Sequence, residues 1–254
     1  MIVHKIIVLI PTYNECENIE AITRAVMAQP IKNINLLIID DNSPDGTASM
    51  VKKMMPEFPG RLHIIEREGK QGLGTAYIAA FKWALAHGYD YIFEMDADFS
   101  HNPNDLVKLY NACEIEHAQL AIGSRYKSGV NVVNWPMGRV LMSYFASVYV
   151  RMITGMRIMD TTAGFKCYHR EVLETIDLDK IKFKGYAFQI EMKFLTWKYG
   201  FHIVEVPIVF TDRRQGSSKM SGGIFSEAVW GVVQMKLSSL FKKYKRESHV
   251  NTVN

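Results

Sequence analysis

Three apolar runs in this chain each break off into a polar, acid-bearing turn. KIIVLI leads into PTYNE (Lys5–Glu15), NLLII into DDNSPDGT (Asn35–Thr47), and YIFEM into DADFSHNP (Tyr91–Pro103). Short apolar runs bounded by turn residues suit strands buried on both faces. The stretches between them carry helical periodicity. One helix is expected from about Glu15 to Ala28, with Asn14 as N-cap and Glu17 at the capping-box position. A second is expected to run to Met55, with Ser43 as N-cap and Pro44 in its first position. This alternation predicts an α/β fold with a mostly parallel, Rossmann-like central sheet flanked by helices. Ligands of such sheets bind at the carboxyl ends of the strands, where these turns gather.

The alternation continues with strands near Leu62–Glu66 and Gln119–Gly123 and helices near Gly74–Ala86 and Pro103–Ile115. The second half is less regular. It offers long helix Gly138–Thr154, the stretch GFKCYHREVLETI, a helix near Phe188–Tyr199 and the strand-like IVEVPIVF. A polar loop, TDRRQGSSKMSGG, then precedes a final amphipathic segment. The expected division is a catalytic domain over 1–222 and an amphipathic interfacial helix and tail over 223–254.

Composition excludes little. The net charge of +4 is compatible with anionic ligands or lipid surfaces and singles out neither. Cys16, Cys113 and Cys167 show no paired metal spacing, which favours a reducing compartment. The start, MIVHKIIVLIPTYNE, lacks a signal-peptide pattern, and no run reaches the roughly 18 apolar residues of a spanning helix. Nucleic acid is not expected as a partner. A dinucleotide oxidoreductase would need G-x-G-x-x-G after the first strand, where PTYNE has no glycine; GLGTAY at Gly72–Tyr77 follows the third strand instead.

The opening acids remain to be explained. On an extended strand Glu94, Asp96 and Asp98 would project to one side, and carboxylates so close call for a positive partner. An Asp-x-Asp pair suits a divalent cation shared with nucleotide phosphates, although a solvated, helix-capping turn has the same short pattern. The ordered set PTYNE, DDNSPDGT, GLGTA, DADFSHNP and GSRY decides between them. It resembles the GT-A glycosyltransferases of family 2, and within them the dolichol-phosphate (polyprenol-phosphate) mannose synthases. The resemblance runs from the first strand through RRQGSSK.

The resemblance implies roles for individual residues. Pro11, Tyr13, Glu15 and Asp41 would enclose the nucleotide, and Asp96 and Asp98 would hold the sugar-nucleotide diphosphate through Mg²⁺ or Mn²⁺. Ser100 stands where many members have glutamine. Arg125, Arg139, Ser143, Arg213 and Lys219 match phosphate-binding positions, with Arg125, Arg139, Ser143 and Arg213 on the acceptor and Arg213 and Lys219 also on the nucleotide sugar. Arg214 matches none. Asp98, Arg125, Arg139 and Ser143 would be the catalytic set. The reaction so implied is inverting transfer of mannose from GDP-mannose to polyprenyl or dolichyl phosphate. A phosphate monoester with a second pKa of about 6 is already an anionic nucleophile and needs positioning more than a general base. A UDP-sugar donor, glucose or an aminosugar, is the nearest alternative, and a non-catalytic nucleotide-sugar-binding subunit is the next. The QxxRW element of processive polysaccharide synthases is absent.

The lipid acceptor implies a membrane surface, at its cytoplasmic face. Gly138–Thr154 and Gly223–Lys245 are apolar on broad helical faces, the latter through Ile224, Phe225, Val229, Val232, Val233 and Leu240. Lys242, Lys243, Lys245 and Arg246 follow. Such stripes serve as buried packing or as interfacial helices. Many relatives carry C-terminal transmembrane helices, so this chain resembles a short form that relies on small membrane-protein subunits or on surface attachment alone.

Overall fold

The structure is a computed structural model that describes residues 4–212 and 223–246. The three acid-ended runs become β1 (Ile6–Thr12), β2 (Ile34–Asp40) and β4 (Tyr91–Glu94), separated by α1 (Cys16–Met27), α2 (Thr47–Met54), β3 (Leu62–Glu66) and α3 (Leu73–Ala86). Then come α4 (Asp105–Glu114), β5 (Leu120–Ser124), the short β6 (Val132–Val133) and the long α5 (Met137–Thr154). The chain continues through β7 (Lys166–His169), α6 (Arg170–Thr175), α7 (Tyr186–Lys198), β8 (Ile203–Pro207), β9 (Phe210–Thr211) and α8 (Gly223–Leu240).

Seven strands form one sheet in the order β3-β2-β1-β4-β7-β5-β8, and β6 pairs with β9 in a separate ribbon. All pairings in the large sheet are parallel except those of β7, which runs antiparallel to both β4 and β5. This is the mostly parallel sheet expected from the alternation, in the GT-A arrangement that the resemblance implies. Alternate residues of each strand enter opposite cores. Ile7, Leu9, Leu37 and Ile92 face the layer of α3 and α7, while Val8, Ile10, Leu36 and Phe93 face α1, α2 and α4. Both faces are covered, which is why the strands read as unbroken apolar runs.

Two helix starts differ from the sequence expectation. Asn14 adopts left-handed φ of 56°, and Glu15 occupies the cap position of α1 without a side-chain capping bond to the helix backbone. The second helix begins at Thr47 after Gly46, not at Ser43. The cause lies in Asp40 and Asp45. The Ser43 hydroxyl donates to Asp40 Oδ1 at 2.6 Å, and Asp45 accepts from the Thr47 and Cys16 backbone N–H groups at 3.0 and 2.9 Å. Ser43–Asp45 is thereby held as a loop that ties the starts of α1 and α2 together.

The GLGTA segment has a packing reason. A Cβ on Gly74 would lie 2.9 Å from the Phe183 carbonyl oxygen, and the Gly74 N–H donates to the Lys184 carbonyl at 2.8 Å. Only glycine lets the start of α3 approach that loop so closely. The last helix is docked: α8 packs on α7 and α5, with Val232 and Met235 inside the α3–α7 core. Of the residues expected on its interfacial face, Val232 is fully buried, Val233 is half-buried and Leu240 is exposed. The side chains of Ile224 and Phe225 lie outside the described residues.

Candidate active site

The carboxyl ends of β1, β2, β4 and β5 open on one cleft of about 470 Å³. Pro11, Tyr13, Glu15, Asp41, Asp96, Asp98, Arg125 and Arg139 all line it. Eight residues expected from separate stretches of sequence thus meet in one place. Ser143 does not line the cleft; it lies one turn beyond Arg139 on α5 and accepts a hydrogen bond from the Tyr126 hydroxyl at 2.7 Å. Arg213, Arg214 and Lys219 lie outside the described residues.

The acidic end is built from turns. Thr12 donates to Asp40 Oδ1 at 2.9 Å, locking the β1 and β2 turns together. Glu15 accepts from Asn18 Nδ2 at 3.1 Å, and Lys70 sits 5.2 Å from the Tyr13 ring centroid. Asp41 is buried beside Arg67 at 3.3 Å. Burial raises its carboxyl pKa, opposed by the Arg67 charge.

The three acids of YIFEMDAD do not act as one group. β4 ends at Glu94, whose side chain is fully buried against Lys166, Nζ to Oε2 2.9 Å. Lys166 stands directly opposite Glu94 in the β4–β7 register. The positive partner expected for all three acids is therefore a lysine for Glu94, while Asp96 and Asp98 turn into the cleft. The strand stops because the Asp96 N–H donates to His101 Nδ1 at 3.1 Å and the Ser100 N–H to Asp98 Oδ1 at 3.0 Å. His101 is stacked on Phe165 at 4.9 Å, and burial drives its pKa down to about 4 against the pull of Asp98.

These residues fit a divalent cation. Mg²⁺ and Mn²⁺ sites of nucleotide enzymes need one or two carboxylates and take further ligands from phosphates and water. Asp96 is 41% exposed in its side chain and Asp98 lines the same cleft. The buried Ser100 hydroxyl, on the same turn and lining the same cleft, has no hydrogen-bond partner among the described residues. Among those residues no group of three or more Asp, Glu, His or Cys side chains could hold an ion, so a cation at Asp96 and Asp98 would need further ligands from phosphates and water.

The basic end contains two differently held arginines. Asp160 accepts three hydrogen bonds from Arg125, from its N–H at 2.9 Å, Nε at 2.7 Å and Nη2 at 2.6 Å; their side chains are 0% and 5% exposed. Burial alone would raise the Asp160 carboxyl, but the Arg125 charge and hydrogen bonds hold it below its ordinary value. Lys193 secures the same loop from beneath, donating to the Thr161, Ala163 and Gln189 carbonyls at 3.2, 2.6 and 3.2 Å. Arg139 is more exposed. Its guanidinium lies 4.0 Å from the Trp135 ring centroid and donates to Asp212 at 2.9 Å. Sequence reasoning missed Lys70, His101, Trp135, Asp160, Thr162, Gln189 and Asp212. His101 stands inside the quoted DADFSHNP, Trp135 within WPMGR and Asp212 within the quoted TDRRQGSSKMSGG; the others had no local signal.

Together the fold and this cleft define a glycosyltransferase of the GT-A type. The chain belongs to glycosyl transferase family 2, whose family model matches residues 7–177. It is 46% identical over 90% of its length to a polyprenol monophosphomannose synthase of Mycolicibacterium smegmatis, covering 85% of that protein. It is 44% identical over 92% of its length to an undecaprenyl-phosphate mannosyltransferase of Micrococcus luteus, covering 95% of that protein. Among solved structures it is similar to glucosyl-3-phosphoglycerate synthase of Mycobacterium tuberculosis. In complex with phosphoglyceric acid that enzyme gives a TM-score of 0.70 at 16% identity, over 92% of this chain and 80% of that one. In complex with Mn²⁺, UDP and phosphoglyceric acid it gives a TM-score of 0.67 at 17% identity, over 94% and 80%.

Proposed function

We propose that this protein transfers mannose, with inversion, from GDP-mannose to a polyprenyl monophosphate at the surface of a membrane. The observation that carries the reading is the convergence of carboxylates and arginines on one cleft. Asp41, Asp96 and Asp98, from the turns after β2 and β4, line it together with Arg125, after β5, and Arg139, on α5, whose outer side carries an exposed apolar stripe. Relatives of this length and identity that carry mannosyltransferase names supply the sugar and the acceptor class.

In this reading Pro11, Tyr13, Glu15 and Asp41 enclose the nucleotide, and Asp96 and Asp98 would hold Mg²⁺ or Mn²⁺. When bound, that ion would neutralise the diphosphate charge as it leaves. Arg139 binds and orients the acceptor phosphate, an anion that requires no general base. Arg125 and Ser143 support it through Tyr126, whose ring lies 5.2 Å from the Arg125 guanidinium and whose hydroxyl donates to Ser143. Arg213 and Lys219, outside the described residues, keep the phosphate-binding role that the resemblance implies.

The surface suits a lipid acceptor. Met137, Leu141, Phe145 and Met152 are exposed at helical spacing on α5, and Trp230, Leu237, Leu240 and Phe241 are exposed on and just beyond α8. Lys242, Lys243, Lys245 and Arg246 follow. No described helix is long and apolar enough to cross a membrane. In this reading the chain docks peripherally on the cytoplasmic face, with 1–222 as its catalytic domain and 223–254 contributing to attachment.

The direct test is to incubate purified protein with polyprenyl phosphate, Mg²⁺ and either GDP-mannose or UDP-glucose, then identify the glycolipid. Mannolipid from GDP-mannose is expected; glucolipid, or no glycolipid from either donor, overturns the reading. For attachment, sedimentation with anionic vesicles is expected to weaken as salt rises, since each basic residue near such a surface contributes about 1 kcal/mol. Equal binding by a chain ending at Ser221 removes the tail from that role.

A further inference from the structure

The two arginines at the basic end of the cleft have carboxylate partners of opposite character. Asp160 is fully buried, takes three hydrogen bonds from Arg125 and cannot leave without abandoning a buried charge. Asp212 is 33% exposed, accepts from Arg139 Nη1 at 2.9 Å among its contacts, and lines the same cleft. One pair is buried; the other is open to the cleft.

The setting of Asp212 is built for this. Its N–H donates to the Val133 carbonyl at 3.1 Å, and β9 just before it pairs with β6, so its backbone is pinned beside the start of α5. The Thr211 N–H donates to the Ser100 carbonyl at 3.4 Å, tying the same strand to the acidic turn. Trp135 also touches Arg139, its ring centroid 4.0 Å from the guanidinium carbon, and is itself edge-on to Phe210 at 5.2 Å. The guanidinium is held over the indole, so its donors can pass from one anion to another without the side chain relocating.

We propose that Asp212 is an exchangeable counter-ion for Arg139: the acceptor's phosphate displaces it on binding, and it recaptures the guanidinium as product leaves. This rests on the acceptor role given to Arg139 above. A carboxylate in that place weakens phosphate binding, and it keeps Arg139 extended across the cleft between turnovers. It also limits how long the phosphodiester product is retained, since the product still carries an anionic phosphate that competes with Asp212 for the same donors.

The test uses Asp212→Asn, which keeps the shape and a hydrogen-bond acceptor but removes the charge. Binding of geranyl phosphate, read by calorimetry without any nucleotide sugar, is expected to tighten about two- to fivefold, the scale of a partly exposed ion pair. KM for polyprenyl phosphate is expected to fall by a similar factor and KM for the nucleotide sugar to stay unchanged. In an Arg139→Gln background the same substitution is expected to change geranyl phosphate affinity little, because the competition has been removed. Equal or weaker geranyl phosphate binding by a folded Asp212→Asn protein overturns the proposal. So does a gain of undiminished size in the Arg139→Gln background, which would be general charge repulsion. Failure of the wild-type protein to form glycolipid, with the calorimetric gain and its loss in the Arg139→Gln background intact, defeats the functional reading and leaves the counter-ion standing.

Discussion

Lys166→Met is the sharpest probe of how the sheet supports the acidic turn. Lys166 and Glu94 face each other across β7 and β4 with neither side chain exposed, Nζ 2.9 Å from Oε2. Gln189 donates to the same oxygen at 2.7 Å and its own side-chain oxygen accepts from Lys166. Burial lowers the lysine's pKa, and the Glu94 charge works against that. Methionine fills the space but leaves Glu94 as an uncompensated buried charge. Breaking one partner of such a pair costs about 3–5 kcal/mol. For a chain of this size each kcal/mol moves Tm by about 2–4 °C, so a loss of about 6–20 °C is expected by circular dichroism. The double variant Glu94→Gln/Lys166→Met carries no net buried charge there and is expected to regain most of the loss. A single variant within about 1 kcal/mol of wild type would refute the reasoning. So would a double variant no more stable than the single one, because the loss would then come from packing.

Asp98→Asn is expected to keep the fold and remove most transfer activity at saturating cation, since an amide cannot offset metal charge; near-normal turnover would remove Asp98 from the metal site. Glu191→Gln tests a buried carboxyl on α7 that accepts the Lys182 and Phe183 N–H groups at 3.0 and 3.1 Å. Burial raises its folded pKa, so the folded state binds the extra proton and this group favours folding most below its unfolded value of about 4.5. Its contribution declines as pH rises above that, so the stability of the glutamine variant relative to wild type is expected to grow from acid to neutral pH in urea titrations; a constant difference would contradict this. Gly74→Ala is expected to cost about 1–3 kcal/mol, because its Cβ would meet the Phe183 carbonyl and the Phe188 ring at 2.9 Å; an unchanged urea midpoint would show that the loop yields freely.

Local chemistry was enough to read the strands, the order of the turns and most of the cleft. A strand buried on both faces has to be continuously apolar, and a turn at its carboxyl end has to be polar, so KIIVLI–PTYNE and NLLII–DDNSPDGT announce themselves. The same reading failed at β7. GFKCYH places Lys166 in a fully buried position, which no local pattern favours, because its counter-charge Glu94 is 72 residues away. Asp160 and Arg125, 35 residues apart, escaped notice as a pair for the same reason. Neighbouring residues decide where a chain turns and which face is apolar, so the sequence alone was sufficient for the family, the sheet and the acid pair. Whether a given charge is locked, exchangeable or exposed depends on what packs against it from elsewhere in the chain. Only the tertiary structure could therefore separate Glu94 from Asp96 and Asp98, and the buried Arg125–Asp160 pair from the part-exposed Arg139–Asp212 pair.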